Sequence, residues 1–262
     1  MSMKQQIKDT LRKFPAAFDI SRRVYRFFVP VSAPEAPETP AERARKYVQT
    51  HIRKAFSKQT PVFFLQVGSN DGVRSDPLHS FRVNNRNWTG IFIEPVESIF
   101  ERLKRNYQFS ERFIFENVAI GPSRETRKFY YVSEDAKELG GNISLWYDQL
   151  GSFDKTHILR HCTGRNSGFA SYIVEQEVKC VLLQDILDKH RVTKIDLIHI
   201  DTEGFDYGVL SQIDFTRYRP FIVLYEHYHL SADEKGKAKS LLKLHGYTLH
   251  ELEEDTLAVF RS

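Results

Sequence analysis

The sequence predicts a doubly wound α/β domain on a mostly parallel sheet. Three observations carry this. Short apolar runs recur and end abruptly in polar or acidic residues: Val62–Val67 before Gly68, Gly90–Ile93 before Glu94, Ile195–Ile200 before Asp201 and Phe221–Tyr225 before Glu226. Runs this short and this apolar read as strands buried on both faces, as in parallel sheets. Helical patterns alternate with them, which is how such a sheet is wound. The last two runs, Tyr247–Leu252 and Thr256–Phe260, are separated only by an acidic turn and predict an antiparallel hairpin at one sheet edge.

In chain order, residues 1–30 read as a basic amphipathic helical segment broken near Pro15. They hold seven basic side chains against two acidic ones, a net +5, which leaves −1 for the rest of a chain of net charge +4. Such a segment suits an anionic membrane surface, its own domain or a second copy of the chain. Residues 31–40, with Pro34, Pro37 and Pro40, read as a semi-rigid linker, and 41–262 as the globular domain.

Helix Ala41–Ser57 should bury Tyr47, Val48, Ile52 and Phe56. Pro95 and Glu97 set the start of a helix over Val96–Tyr107. Phe113–Ile120 reads as a strand closed by Gly121-Pro122, and Phe129–Val132 as a further short one. Residues 133–172 break the rhythm. This insertion is rich in Gly, Ser, Asn and His, yet carries Trp146, Tyr147, Phe153 and Phe169, which argues for order and function rather than disorder. Strand Glu177–Leu182, helix Gln184–His190, a helix through Leu210, and helix Ala232–His245 stopped by Gly246 complete the alternation.

The 262 residues, 41% apolar and 13% aromatic, can fill one such core with appendages. Two cysteines make neither a disulfide framework nor a zinc motif, so reduced thiols in a cytoplasmic protein are expected. No run reaches the ~18 residues of a membrane span, and no secretory leader pattern opens the chain. The near-neutral body lacks the basic face that nucleic-acid binding needs.

Ligands of open α/β sheets sit at the carboxyl ends of the strands. The first such end is Gln66-Val67-Gly68-Ser69-Asn70-Asp71-Gly72, a turn whose glycines admit close approach of a ligand. The second, Glu94-Pro95, offers a carboxylate that can accept both hydroxyls of an adenosine ribose, and the third, Asn117-Val118-Ala119, would flank an adenine ring. The three-glycine dinucleotide fingerprint is absent, so a phosphate-free adenosine cofactor fits better than NAD.

These residues, in the series Leu-Gln-Val-Gly-Ser-Asn-Asp-Gly, Phe-Ile-Glu-Pro, Asn-Val-Ala-Ile-Gly, Ile-Asp-Leu-Ile-His-Ile-Asp-Thr-Glu-Gly and Tyr-Glu-His, resemble the FkbM family of S-adenosylmethionine-dependent methyltransferases over roughly residues 60–262. The resemblance implies a Rossmann-like class I methyltransferase fold, S-adenosylmethionine as cofactor, and O-methylation of a sugar, glycan or glycosylated metabolite. At Gln66 the chain departs from the family's first motif, which often carries Asp there. The alternative is a catalytically silent module of this fold, tethered to a membrane or a partner assembly by its N-terminal segment.

Methyl transfer to an alcohol needs alignment and a proton acceptor. His227 is the expected base, with Asp201, Glu203 and Glu226 around it and Asp201 also near the cofactor. His199, Asp201, Glu203, Glu226 and His227 offer metal donors, but carboxylates at strand ends belong to this architecture without an ion, and no metal is assigned. The insertion is the expected acceptor lid: Trp146 and Tyr147 to stack on sugar rings, with Asn142, Arg160, His161 and Arg165, and His229 from the body, to bond hydroxyls or an anionic group.

Overall fold

A computed structural model describes residues 38–108, 110–139 and 150–260, and Pro40–Ser262 form one compact unit. The expected N-terminal segment, the linker up to residue 37, Asn142, Trp146 and Tyr147 lie outside the described residues. Pro40 is not the end of a linker but opens helix α1 (Pro40–Ala55), a first-turn position that suits a residue without an N–H.

The main sheet has seven strands: β1 (Val62–Val67), β2 (Trp88–Ile93), β3 (Phe113–Glu116), β8 (Leu197–Ile200), β9 (Ile222–Glu226), β10 (Tyr247–Glu251) and β11 (Asp255–Phe260). From one edge the order is β3-β2-β1-β8-β9-β11-β10. All pairs are parallel except β9–β11 and β10–β11, so the C-terminal hairpin forms the antiparallel edge. The direction of winding reverses at β1, where β2 lies on one side and β8 on the other.

Alternate residues of β1 explain its unbroken apolar run. Leu65 and Val67 join one core with Ile91, Ile198 and Val223; Val62 and Phe64 join a second with Phe92, Leu197 and α1's Val48 and Ile52. Tyr47 does not join it: the ring is exposed and its hydroxyl bonds His250 Nδ1 at 2.9 Å.

The second sheet was not legible in the alternation. It contains β4 (Ala119–Ile120), β5 (Glu125–Val132), β6 (Gly151–Ser152) and β7 (Ile173–Val181), in the order β4-β7-β5-β6. The expected strand Phe113–Ile120 is therefore two strands in two sheets. The break falls at Asn117, whose Nδ2 donates to the carbonyls of Glu94 at 2.8 Å and Pro95 at 3.1 Å. The expected strand Glu177–Leu182 is the end of the longer β7, paired antiparallel with β5 instead of sitting in the parallel sheet. Phe129 and Val178 anchor this sheet against Val96 and Ile99 of the main body.

Helices α2 (His79–Asn84), α3 (Glu97–Asn106), α4 (Lys155–His161), α5 (Leu183–Lys189), α6 (Asp206–Leu210) and α7 (Ala232–Leu244) complete the unit. Helix α4 lies inside the insertion, its N-terminus capped by Asp154, which accepts from Thr156 N–H. Among the described residues no helix is long and apolar enough to cross a membrane.

Candidate active site

The carboxyl ends of β1, β2, β8 and β9 open on one cavity of about 780 Å³. Its floor is set by Gly68 at φ 75°, where a Cβ would stand 1.6 Å from the carbonyl oxygen of Asp201. The turns after β1 and β8 therefore meet backbone to backbone, which only glycine allows. Gly68 and Ser69 donate their N–H groups to the Ile93 carbonyl at 3.0 and 3.1 Å, locking the β1 turn to β2.

Glu94 follows directly. Its two carboxylate oxygens accept the N–H groups of Asn70 at 2.9 Å and Val96 at 3.0 Å. The side chain is only 5% exposed, yet it lines the cavity. Burial pushes its carboxyl up to about 7, against the opposing pull of those two N–H groups and of Arg102. Gln66, Ser69, Asn70, Pro95, Val118 and Ala119 line the same end.

Three expected cofactor residues do not reach the cavity. Asp71 turns into its own loop and accepts from the N–H groups of Val73 and Arg74, both at 2.9 Å. Burial alone would raise its carboxyl, but the bonds from Arg74 and Val73 hold it below the ordinary range. The Gly72 carbonyl accepts from Arg82 and Tyr107, and Asn117 braces Glu94 and Pro95 from behind. Each holds a residue that does line the site: Asp71 holds Arg74, Gly72 holds Ser69 through its N–H to the Ser69 carbonyl at 3.0 Å, and Asn117 holds Glu94 and Pro95.

Gln66 is tied into a network that the sequence did not suggest. Arg82, fully buried on α2, donates to Gln66 Oε1, forms an ion pair with Asp76 and bonds the Gly72 carbonyl at 2.9 Å. Its guanidinium also lies over the rings of Phe92 and Phe64, 4.8 and 5.3 Å from their centroids. Gln66 Nε2 donates to Asp76 at 3.0 Å. Burial works to raise Asp76, but the adjacent Arg82 pulls it below its ordinary value. At the departure from the family motif, a neutral amide thus holds a carboxylate, Asp76, that itself lines the cavity.

The other end of the cavity is acidic and imidazole-rich. Asp201, Glu203, Glu226, His161 and His229 all line it. Asp201 is exposed where it opens on the cavity, yet protein atoms surround it densely. That crowding, then the neighbouring carboxylates of Glu203 and Asp206, pushes its carboxyl well above the ordinary value. Glu203 sits at φ 53° and holds its Oε2 3.3 Å from His157 Nε2 and 3.2 Å from His229 Nε2. Burial would raise Glu203, but those two imidazoles bring it down. Glu226 Oε1 is 3.5 Å from His229 Nε2, and burial with Asp201 and Glu203 nearby pushes Glu226 up to about 12. Asp206, fully buried, accepts from Thr202 Oγ1 at 3.0 Å and from Gly204 N–H at 3.3 Å and so shapes the turn after β8.

His227, the expected base, stands outside the cavity. Strand β9 ends at Glu226, and His227 N–H donates to the Glu254 carbonyl at 2.8 Å while its Nδ1 lies 3.0 Å from Thr256 Oγ1. It does not line the cavity; His229 does. His199 also departs from the expected donor group. It is 6% exposed beside Asp76 and Arg82, and burial lowers its imidazole to about 4, so it is neutral.

Of the expected acceptor residues, His161 and His229 face the cavity, whereas Arg160 is exposed on α4 and does not line it. Arg165 falls in the short helix Gly164–Tyr172. His157 was missed, although its spacing from His161 in a His-x-x-x-His pattern was open to view.

The cavity fits the cofactor that the resemblance implies. It pairs a buried, cavity-facing carboxylate at Glu94 with an apolar wall of Ile99, Val118, Ala119 and Phe129, suited to a ribose and an adenine ring. No curated protein matches the chain in sequence. Among solved structures it is similar in fold to the METTL16 methyltransferase domain, at 12% identity over 87% of this chain and 70% of that one, with a TM-score of 0.45. The N-terminal domain of human METTL16 in complex with SAH gives 12% identity over 89% and 75%, TM-score 0.44, and a precorrin-6y C5,15-methyltransferase from Geobacter metallireducens 11% over 84% and 89%, TM-score 0.39. The model of the methyltransferase FkbM domain matches residues 66–254, from the β1 turn through the strand ends to the C-terminal hairpin. The chain belongs to the FkbM family of S-adenosylmethionine-dependent methyltransferases.

Proposed function

We propose that the protein methylates a hydroxyl of a sugar, glycan or glycosylated metabolite. The observation that carries this reading is one cavity with two unlike ends. Glu94 and the Gly68 turn close one end; Asp201, Glu203, Glu226 and His229 gather at the other. When bound, S-adenosylmethionine supplies a sulfonium methyl that an oxygen displaces in line, a C–O bond forming as the C–S bond breaks and its electron pair returns to sulfur. The chain's own task is to align the oxygen, exclude water and remove its proton. Asp201 is the residue we assign to the proton, because it opens on the cavity next to the Gly68 turn while His227 does not reach it. Glu203, bonded to His157 and His229, keeps that end ordered. The insertion side of the cavity, with Phe153 and His161, supplies apolar and polar surface of the kind that a sugar ring needs. We also place the reaction in the cytoplasm, where Cys162 and Cys180 stay reduced.

The test is turnover on a panel of nucleotide sugars and oligosaccharides, with S-adenosylhomocysteine titrated in parallel. Asp201→Asn should retain the binding of S-adenosylhomocysteine and lose roughly 10²- to 10⁴-fold in kcat, the usual worth of a positioned base. Unchanged kcat would remove Asp201 from the proton's path. Methyl transfer confined to nitrogen or sulfur acceptors would overturn the hydroxyl reading.

A further inference from the structure

The acceptor end of the cavity holds a grouping that the reaction above does not fully use. His157 and His161 stand four residues apart on α4 and so share a helix face, with ring centroids 5.2 Å apart. Both meet His229, from the loop after β9, at centroid distances of 4.4 and 5.4 Å. One ring nitrogen from each of the three lies within 4.8 Å of the others, and so do one donor atom each from Glu203, Glu226 and His229. His157 and His229 direct their Nε2 atoms at the same oxygen, Glu203 Oε2. Glu226 Oε2 is buried and has no hydrogen-bond partner among the described residues. Glu203 holds its place at φ 53°, a conformation that a non-glycine residue adopts at a cost. Donors from three separate stretches of chain therefore form two triads that share His229 and are joined again by the bond between His157 and Glu203.

We propose that His157, His161, Glu203, Glu226 and His229 form a site for one divalent transition-metal ion at the acceptor end of the cavity. Three imidazoles with two carboxylates suit zinc, iron, cobalt or nickel, whereas magnesium and calcium prefer all-oxygen shells. A site that keeps one position open can take a hydroxyl oxygen and ease the loss of its proton. That role rests on the hydroxyl-methylation reading; binding of the ion does not. The ion would also tie the insertion helix α4 to the ends of β8 and β9.

The experiment is titration of chelator-treated full-length protein with Co²⁺, read by its visible d–d absorption, with Zn²⁺ as competitor. Wild type should bind one ion per chain. His161→Ala and Glu203→Gln should each bind at least about tenfold more weakly. The double variant His51→Ala/His250→Ala, at two imidazoles whose ring centroids lie 5.1 Å apart outside the cavity, should bind as wild type. Should the cluster variants fail to fold, X-ray absorption of zinc-loaded wild type decides: a shell of imidazole and carboxylate is expected. A thiolate or all-oxygen shell, no saturable binding, or unchanged affinity in both cluster variants would overturn the proposal. S-adenosylhomocysteine titrated into the metal-free protein reads the methyltransferase site separately, so failure of the one is not failure of the other.

Discussion

The two ends of the cavity are built on opposite principles. At the β1–β2 end the polar groups are already partnered within the protein: Glu94 by two backbone N–H groups, the Gly68 and Ser69 N–H groups by the Ile93 carbonyl, and Gln66 and Asp76 by the side chain of the buried Arg82. At the β8–β9 end four carboxylates crowd together, Glu226 keeps an orphaned oxygen, and the imidazoles come partly from an insertion. The first end is finished before any ligand arrives. The second is left with charge to place, the usual condition of a site that handles protons or cations.

The contrast can be broken at its firmest point. Arg82→Met should destabilise the protein by about 3–5 kcal/mol, because it leaves Asp76 buried without its partner. Chemical denaturation measures this; a loss under ~1 kcal/mol would mean that the β1–β2 end does not depend on its buried network.

The cofactor end can also be read by pH. Folding raises Glu94 from 4.5 to about 7, so the neutral acid predominates below that value in the apo protein. Ribose hydroxyls donate best to the carboxylate. Affinity for S-adenosylhomocysteine should therefore rise as pH climbs towards 7, by up to about tenfold per unit, and level off above it. Glu94→Gln should flatten the profile, as calorimetry at several pH values would show. Stability runs the other way: a carboxyl raised on folding stabilises the apo protein below about 4.5, a contribution lost as pH rises through about 7.

The smallest effect is expected at His227. His227→Ala should change kcat by less than about threefold, well short of the roughly 10²-fold minimum for a positioned base, since the ring bonds Thr256 outside the cavity. A drop of the size expected for Asp201→Asn would reverse the assignment of the two residues.

The main sheet was legible because strands buried on both faces leave unbroken apolar runs, and the ends of those runs, Gly68, Glu94, Asp201 and Glu226, line one cavity. The second sheet was not, because β5 and β7 are half exposed and carry charges such as Lys128 and Glu175, which pair across the strands at 2.8 Å. The period-two pattern also stops where a strand stops. Beyond Glu226 nothing in the spacing could tell His227 from His229; the backbone bond to Glu254 decides which ring turns inward. His157 was hidden because its helix lies in a stretch with no apolar periodicity to frame it.

The second sheet has a consequence for descent as well as for shape. It lies between β3 and β8 in the chain, and that stretch reaches the cavity through Ala119 and Phe129 on the adenine wall and through Gly151, Phe153 and His161 further on, while Gly68 and Glu94 come from the ends of β1 and β2. A lineage can therefore rewrite what it modifies by altering the later part of that stretch, around Phe153 and His161, while Ala119 and Phe129 stay with the machinery that holds the methyl source. The backbone contact between Gly68 and Asp201 marks the border that such rewriting has to respect.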